Sequence, residues 1–184
     1  MSLPNITLIS YGYFEKDILE KTAEAVIQEF QCSVSIREGH LDLSEFYDPT
    51  RRQYNGNALL KVIDSLAIPD SLKTLGLFNV DLFIPILTFI FGQAYLGGSS
   101  GIASIYRLSN KRYGIIGGDR FLSERCTKEV IHELGHTFGL IHCPNPTCVM
   151  RSSTYVEDID QKNQNLCNSC RDEYISQSTL SQSL

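Results

Sequence analysis

The chain has no tryptophan, two methionines and only four histidines in 184 residues, so any histidine cluster uses most of the histidines there are. It also lacks an apolar run long enough to cross a bilayer, which takes about 20 residues. The most apolar stretch, 82–91, is shorter than that and is interrupted by Pro85. A membrane partner is therefore not expected. Positive charge is in deficit, with 16 Lys and Arg against 21 Asp and Glu and a net charge of −5. Phosphate backbones call for clustered positive charge, so neither DNA nor RNA is an expected partner. The first residues show no basic leader, apolar stretch and cleavage site in succession, and the expected location is the cytoplasm. In a reducing compartment the six cysteines are more readily metal ligands or buried thiols than disulfides.

What is present fits a globular protein, with 42% hydrophobic and 20% charged residues. One domain over residues 1–184 is expected, as a monomer. Residues 6–12, β-branched and closed by Gly12, have the pattern of a strand. Over 15–30, Ile18, Leu19, Thr22, Ala23, Val26, Ile27 and Phe30 recur at helical spacing. A second strand follows at 32–36, where Cys32 reads as a buried thiol. The polar stretch 37–56 reads as a connection, and His40 within it as a solvated loop histidine. A second amphipathic helix is predicted over 58–67, ended by Pro69, then strands at 74–80, 86–95 and 102–108 around a glycine-rich loop at 97–101.

A helix from Ser123, a plausible N-cap, to about Phe138 carries the chemistry. Thr127, Val130, Ile131, Leu134 and Phe138 form its buried stripe, with Cys126 a small residue in its first turns. His132 and His136, four apart, stack on another face one turn from each other. Gly139 stands where the helix must stop, in a position suited to positive φ, so that His142 can swing back to the same point. Three nitrogens with a fourth position open form the donor set of a catalytic zinc rather than a structural one. Glu133, beside the first ligand, can reach a water there and take its proton.

Cys143 and Cys148 form one close pair and Cys167 and Cys170 another. Four thiolates close a tetrahedron and leave no place for water, which is the pattern of a structural zinc. Two disulfides would fit the same count in an oxidising compartment. Zinc ribbons often bind nucleic acid, but from Cys143 onward the acidic residues outnumber the basic ones, which does not make a phosphate-binding surface. After 151–165, polar and turn-rich, a last short helix opens at Cys167, and the Ser- and Gln-rich tail 176–184 is expected to fray.

The run from His132 through His142 to Met150 resembles the metzincin clan of zinc peptidases. With Cys143, Cys148, Cys167 and Cys170 in place, it resembles the archaemetzincin family within that clan. The resemblance is specific over 132–170 and general elsewhere. It implies that Met150 forms an apolar floor under the histidines without being a ligand. It also implies that the strand holding Gln93, Ala94 and Tyr95 lies on the sheet edge above the zinc, where it receives the substrate backbone as an added strand. An ordinary edge strand is the alternative.

The expected fold is α/β, a zincin-like single catalytic domain. Residues 1–139 form an upper part, with a twisted mixed sheet, two backing helices and the active-site helix; residues 140–184 form a small lower part stapled by the second zinc. The expected function is zinc-dependent hydrolysis of peptide bonds in a peptide or protein substrate, with two Zn2+ per chain, one catalytic and one structural. Aminopeptidase specificity, or a zinc-binding interaction protein with little hydrolysis, remains open on the same residues.

Overall fold

The computed structural model describes residues 5–66, 68–114 and 121–181. The chain opens with β1 (Asn5–Tyr11), buried from Ile6 onward, as suits a strand covered on both faces. Helix α1 (Lys16–Phe30) follows and stops at Gln31, whose left-handed backbone, φ 51°, turns its N–H back to the Ile27 carbonyl. After β2 (Ser33–Gly39), a 3-10 turn at Leu43–Phe46 leads into β3 (Tyr47–Asp48) and β4 (Gln53–Asn55). Helix α2 (Gly56–Ser65) begins where the Asn55 side chain accepts the Ala58 N–H. Then come β5 (Ser71–Phe78), β6 (Leu82–Ile84), β7 (Leu87–Ile90), β8 (Gly92–Ala94) and β9 (Ser100–Ser104). Three helices complete the chain, α3 (Leu122–Thr137), α4 (Val156–Gln161) and α5 (Asn168–Ser181).

The main sheet has five strands in the order β2-β1-β5-β9-β8. All pairings are parallel except that of β8, which runs antiparallel along β9 as the last strand. Side-chain alternation divides the core. From one face Ile6, Leu8, Leu75, Leu77 and Ala103 pack with α1 and α3 residues including Val26, Phe30, Val130 and Leu134. From the other, Ile9, Tyr11, Phe78 and Ile102 pack on Leu59, Leu60 and Ile63 of α2. The two backing helices are thus shared between the faces, and α1 and α3 lie side by side.

Several local expectations change. The predicted strand 86–95 is two strands in two sheets. Leu87–Ile90 turns back antiparallel on β6 in a four-stranded sheet β3-β4-β6-β7, while Gly92–Ala94 joins β9. Phe91 lies between them, and its carbonyl accepts the Ser104 N–H. The polar connection 37–56 supplies β3 and β4, short strands whose pairing no local apolar pattern announces. The strand expected at 102–108 is shifted to Ser100–Ser104, and the Ser104 hydroxyl donates to the Val80 carbonyl as the chain leaves the sheet. Phe121, not Ser123, holds the N-cap position of α3. Helix α4 was not anticipated, and α5 continues through Ser181 where fraying was expected from 176. The predicted end of α2 at Ala67, Met1 and residues 182–184 lie outside the described residues.

Buried charges tie the C-terminal segment to this frame. Glu29 of α1, 2% exposed, accepts the Leu166 N–H at 3.0 Å, the Asn165 side-chain amide at 2.8 Å and the Arg171 guanidinium at 2.8 Å. Arg125 of α3 donates bidentately to Asp160 at 2.7 Å and to the Leu108 carbonyl and Asn110 side chain. A buried acceptor removed from such a set leaves its donors unsatisfied and an arginine unpaired. Glu29→Ala should therefore cost about 3 kcal/mol in urea unfolding of the zinc-loaded protein. Glu20→Ala, which removes an exposed pair with Lys16 on the same helix, should leave the midpoint where it is. Equal midpoints for both variants would show that the Glu29 set contributes nothing.

Candidate active site

Helix α3 packs one side on the sheet and α1, and turns Glu129, His132, Glu133 and His136 toward a cleft. After Thr137 the helix ends through bonds from Gly139 N–H to the His136 carbonyl and from Leu140 N–H to the Gly135 carbonyl, with Gly139 at φ 91°. A side chain is strained there. The turn returns His142 to the two helical histidines, and one nitrogen from each ring falls within a cluster whose atoms all lie within 4.8 Å of one another.

The hydrogen bonds settle which nitrogens face inward. His132 Nδ1 lies 2.8 Å from the Val149 carbonyl and His136 Nδ1 lies 2.7 Å from the Leu140 carbonyl. A carbonyl only accepts, so each Nδ1 carries the proton and each Nε2 offers a bare lone pair. The two Nε2 atoms are 3.1 Å apart. Burial holds all three histidines below their usual range, His132 furthest, with the Lys162 charge acting in the same direction. Neutral imidazoles oriented by carbonyls are the state in which histidine binds a divalent cation.

The second cluster is equally well defined. All six cysteines are free thiols. The sulfurs of Cys143, Cys148, Cys167 and Cys170 lie within 4.8 Å of one another, with Cys143 to Cys167 and Cys148 to Cys170 both at 3.8 Å. That is far beyond a disulfide bond and close to the ~3.8 Å edge of a tetrahedron whose metal–sulfur bonds are about 2.3 Å. The Cys170 N–H and the neighbouring thiols bring the Cys167 thiol down to about 7, which favours the thiolate a metal needs.

Met150 is fully buried beneath α3. A Cβ at Gly135 would run into its sulfur, so the helix lies directly on the methionine and a side chain at 135 would make the thioether shift. Glu133 is buried against Gly92 of β8, where a Cβ would come within 2.6 Å of its Oε1. Its Oε2 has no partner. Burial and the Glu129 carboxylate push the Glu133 carboxyl well above the usual range, and the Lys162 ammonium opposes them. A dication on the histidines would add to the pull of Lys162.

The cleft measures about 760 Å³. Gln93 and Ala94 of β8 line it, and beyond them the Tyr95 N–H is bonded to the Ser100 carbonyl. Among the described residues no strand lies beside the outer edge of β8. His40 sits with Tyr11 and Asn79 in a separate hollow at the strand ends. Sequence reasoning passed over Glu129, Ser153 and Lys162 in the cleft wall. Glu129 stands four before Glu133, a spacing that could have flagged it. Nothing in the sequence signals Lys162, which arrives from beyond α4.

A ligand helix that rests on a methionine and takes its third histidine from the turn beyond belongs to the metzincins, a class of zinc metallopeptidase. Comparison with known proteins narrows the class further: the pattern of Peptidase family M54 matches residues 5–175, and the chain belongs to that family. It is 38% identical over 172 residues to an archaemetzincin of Thermococcus kodakarensis, covering 90% of this chain and 92% of that one. Among solved structures, archaemetzincin from Methanopyrus kandleri superposes with a TM-score of 0.83 at 31% identity, covering 95% of each chain. A zinc-dependent peptidase from Methanocorpusculum labreanum gives 0.83 at 29% identity, covering 92% of this chain and 99% of that one.

Gly→Ala inside a helix ordinarily stabilises it by roughly 0.5–1 kcal/mol. At Gly135 the sign should reverse, because the new methyl group displaces Met150. Gly135→Ala is expected to melt several degrees below wild type in calorimetry and to bind zinc more weakly in a competition titration. A variant that melts higher and binds zinc as tightly as wild type would remove Met150 as the support of the ligand helix.

Proposed function

We propose that the chain is an endopeptidase carrying two zinc ions, one on His132, His136 and His142 and one on Cys143, Cys148, Cys167 and Cys170, with Glu133 as general base. The observation that carries this reading is the unpartnered Glu133 oxygen, buried beside three histidines whose lone pairs converge. When bound at the histidines, zinc supplies Lewis acidity to the scissile carbonyl and to a water. Glu133 accepts the proton of the attacking water and delivers it to the leaving amine. Gln93 and Ala94 hold the substrate backbone along the open edge of β8. Leu140 and Val149 fix the histidine rings through their carbonyls, and the four thiolates hold the turn that bears His142.

Residues 1–139 are the upper and 140–184 the lower part of one catalytic domain, with the cleft between them. The free state of all six cysteines supports a reducing, cytoplasmic setting. The negative net charge supports a peptide rather than a nucleic-acid partner. No described helix is long and apolar enough to cross a membrane, and the chain is taken as a membrane-independent monomer.

Elemental analysis of protein purified without chelators should find two zinc ions per chain, since the two donor sets share no residue. One zinc with the four sulfurs oxidised would sink the structural site. Glu133→Gln should keep both metals and the fold while cleavage of blocked peptides falls by about 10²–10⁴-fold. Activity that survives this change arises elsewhere, and activity confined to peptides with free N-termini would make the protein an aminopeptidase.

A further inference from the structure

Among the described residues, four buried side-chain atoms have no hydrogen-bond partner: Gln93 Oε1, Glu129 Oε1, Glu133 Oε2 and Ser153 Oγ. All four belong to residues that line the one cleft. Buried polar atoms are nearly always satisfied, so such a concentration calls for an occupant. Glu133 is accounted for by the water it activates. Gln93 lies on the strand edge assigned to the substrate backbone, which leaves Glu129 and Ser153 without an account.

Glu129 lies one turn up α3 from Glu133 and is 3% exposed. Lys162 Nζ stands 3.7 Å from its Oε1, too far for a hydrogen bond, because the ammonium is drawn 2.9 Å from the Arg151 carbonyl. The two therefore form a long ion pair beside the cleft that leaves Glu129 Oε1 without a hydrogen bond. The segment after Met150 lines the same cleft, with Ser153 in it.

Resting on the peptidase reading above, we propose that Glu129, Lys162 and Ser153 form the pocket for the side chain immediately after the cleaved bond, and that it selects a carboxamide, glutamine or asparagine. The place follows from the chemistry. Glu133 hands its proton to the leaving amine, so the residue bearing that amine sits on the Glu133 side of the metal. The next group along α3 on that face is Glu129. The selectivity follows from the pair. A carboxamide offers N–H groups to Glu129 Oε1 and a carbonyl to the Lys162 ammonium, filling both needs at once. A leucine of similar size would leave Glu129 Oε1 without a hydrogen bond and shut off from water. A lysine side chain would meet Lys162 and the catalytic dication, and a glutamate would meet Glu129.

The test uses blocked peptides identical except for Gln, Asn, Leu, Glu or Lys after the cleaved bond. Two readouts are taken: kcat/KM with the zinc-loaded protein, and calorimetric binding to zinc-loaded Glu133→Gln. Both should favour Gln or Asn over Leu, Glu and Lys by about tenfold or more, the effect of one buried polar group left unpaired. Glu129→Ala should bring the Gln-to-Leu ratio toward unity. So should Glu129→Ala combined with Lys162→Met, which leaves no lone charge buried. Cleavage without discrimination at this position overturns the pocket and leaves the peptidase intact. Binding that prefers Gln without any cleavage overturns the peptidase and leaves the pocket standing. The wild-type ratio needs no variant, and a leucine peptide that matches glutamine in both readouts ends the proposal.

Discussion

The hydrogen bond from the Cys143 N–H to the Met150 carbonyl, 3.0 Å long, closes the loop on which both donor sets depend. Within the loop and the turn before it, one short segment supplies the third histidine, two of the four thiols, both carbonyls that orient the helical imidazoles, and the sulfur under Gly135. None of these groups can move alone. A shift at Val149 rotates the His132 ring, and a shift at Cys143 carries His142 with it. A metal at the thiolates would fix the far side of that loop, which gives the structural site a physical connection to the catalytic one without a shared ligand.

A loop that so many groups depend on needs an anchored partner for Cys167 and Cys170. Glu29 provides it by taking the Leu166 N–H and the Arg171 guanidinium into the side of α1, on either side of the second cysteine pair. Lys73 acts at the other end of the ligand helix. Its ammonium donates to the Thr137 and Gly98 carbonyls and lies over the Phe138 ring, placing a cation at the helix C-terminus where the peptide dipoles favour it. Hydrophobic packing brings α1 and α3 together, but packing alone would tolerate sliding along the helix axis. Directional bonds from buried charges fix the axial position, and the cleft inherits it.

The sequence made the local chemistry legible because that chemistry obeys short spacing rules. His132 and His136 share a helical face at any position in any fold, and the closeness of each cysteine pair follows from a single turn. The main helices and the parallel strands were readable from apolar period for the same reason. What escaped depends on distant partners. The strand predicted over 86–95 is divided at Phe91 because two different strands compete for its halves, which no window along the chain can register. The short strands β3 and β4 lie in a polar stretch and are set by pairing, β4 with the distant β6 and β3 with β4. The family resemblance places Tyr95 with Gln93 and Ala94 on the edge strand, and it cannot register the turn in which the Tyr95 N–H bonds the Ser100 carbonyl. Lys162 follows α4, a helix the polar pattern of 151–165 did not announce, and so its arrival beside Glu129 could not be foreseen.

The distribution of polarity carries the argument one step further. Elsewhere in the core, buried charges are given full sets of partners: Glu29 three donors, Arg125 a carboxylate, a carbonyl and an amide. In the cleft wall a buried carboxylate and a buried ammonium form only a long ion pair, and the carboxylate oxygen has no hydrogen bond. Such an arrangement costs folding free energy, and a well-packed apolar pair would cost less. The difference is one of placement rather than of residue type, because glutamate and the cations are used in both regions. Where the partners are complete, the groups hold the frame; where they are incomplete, the free energy withheld from folding is available to whatever enters the cleft. A site arranged in this way discriminates by hydrogen-bond complementarity more sharply than by size, since a ligand of the right volume but the wrong polarity leaves the same groups unpaired and now without water.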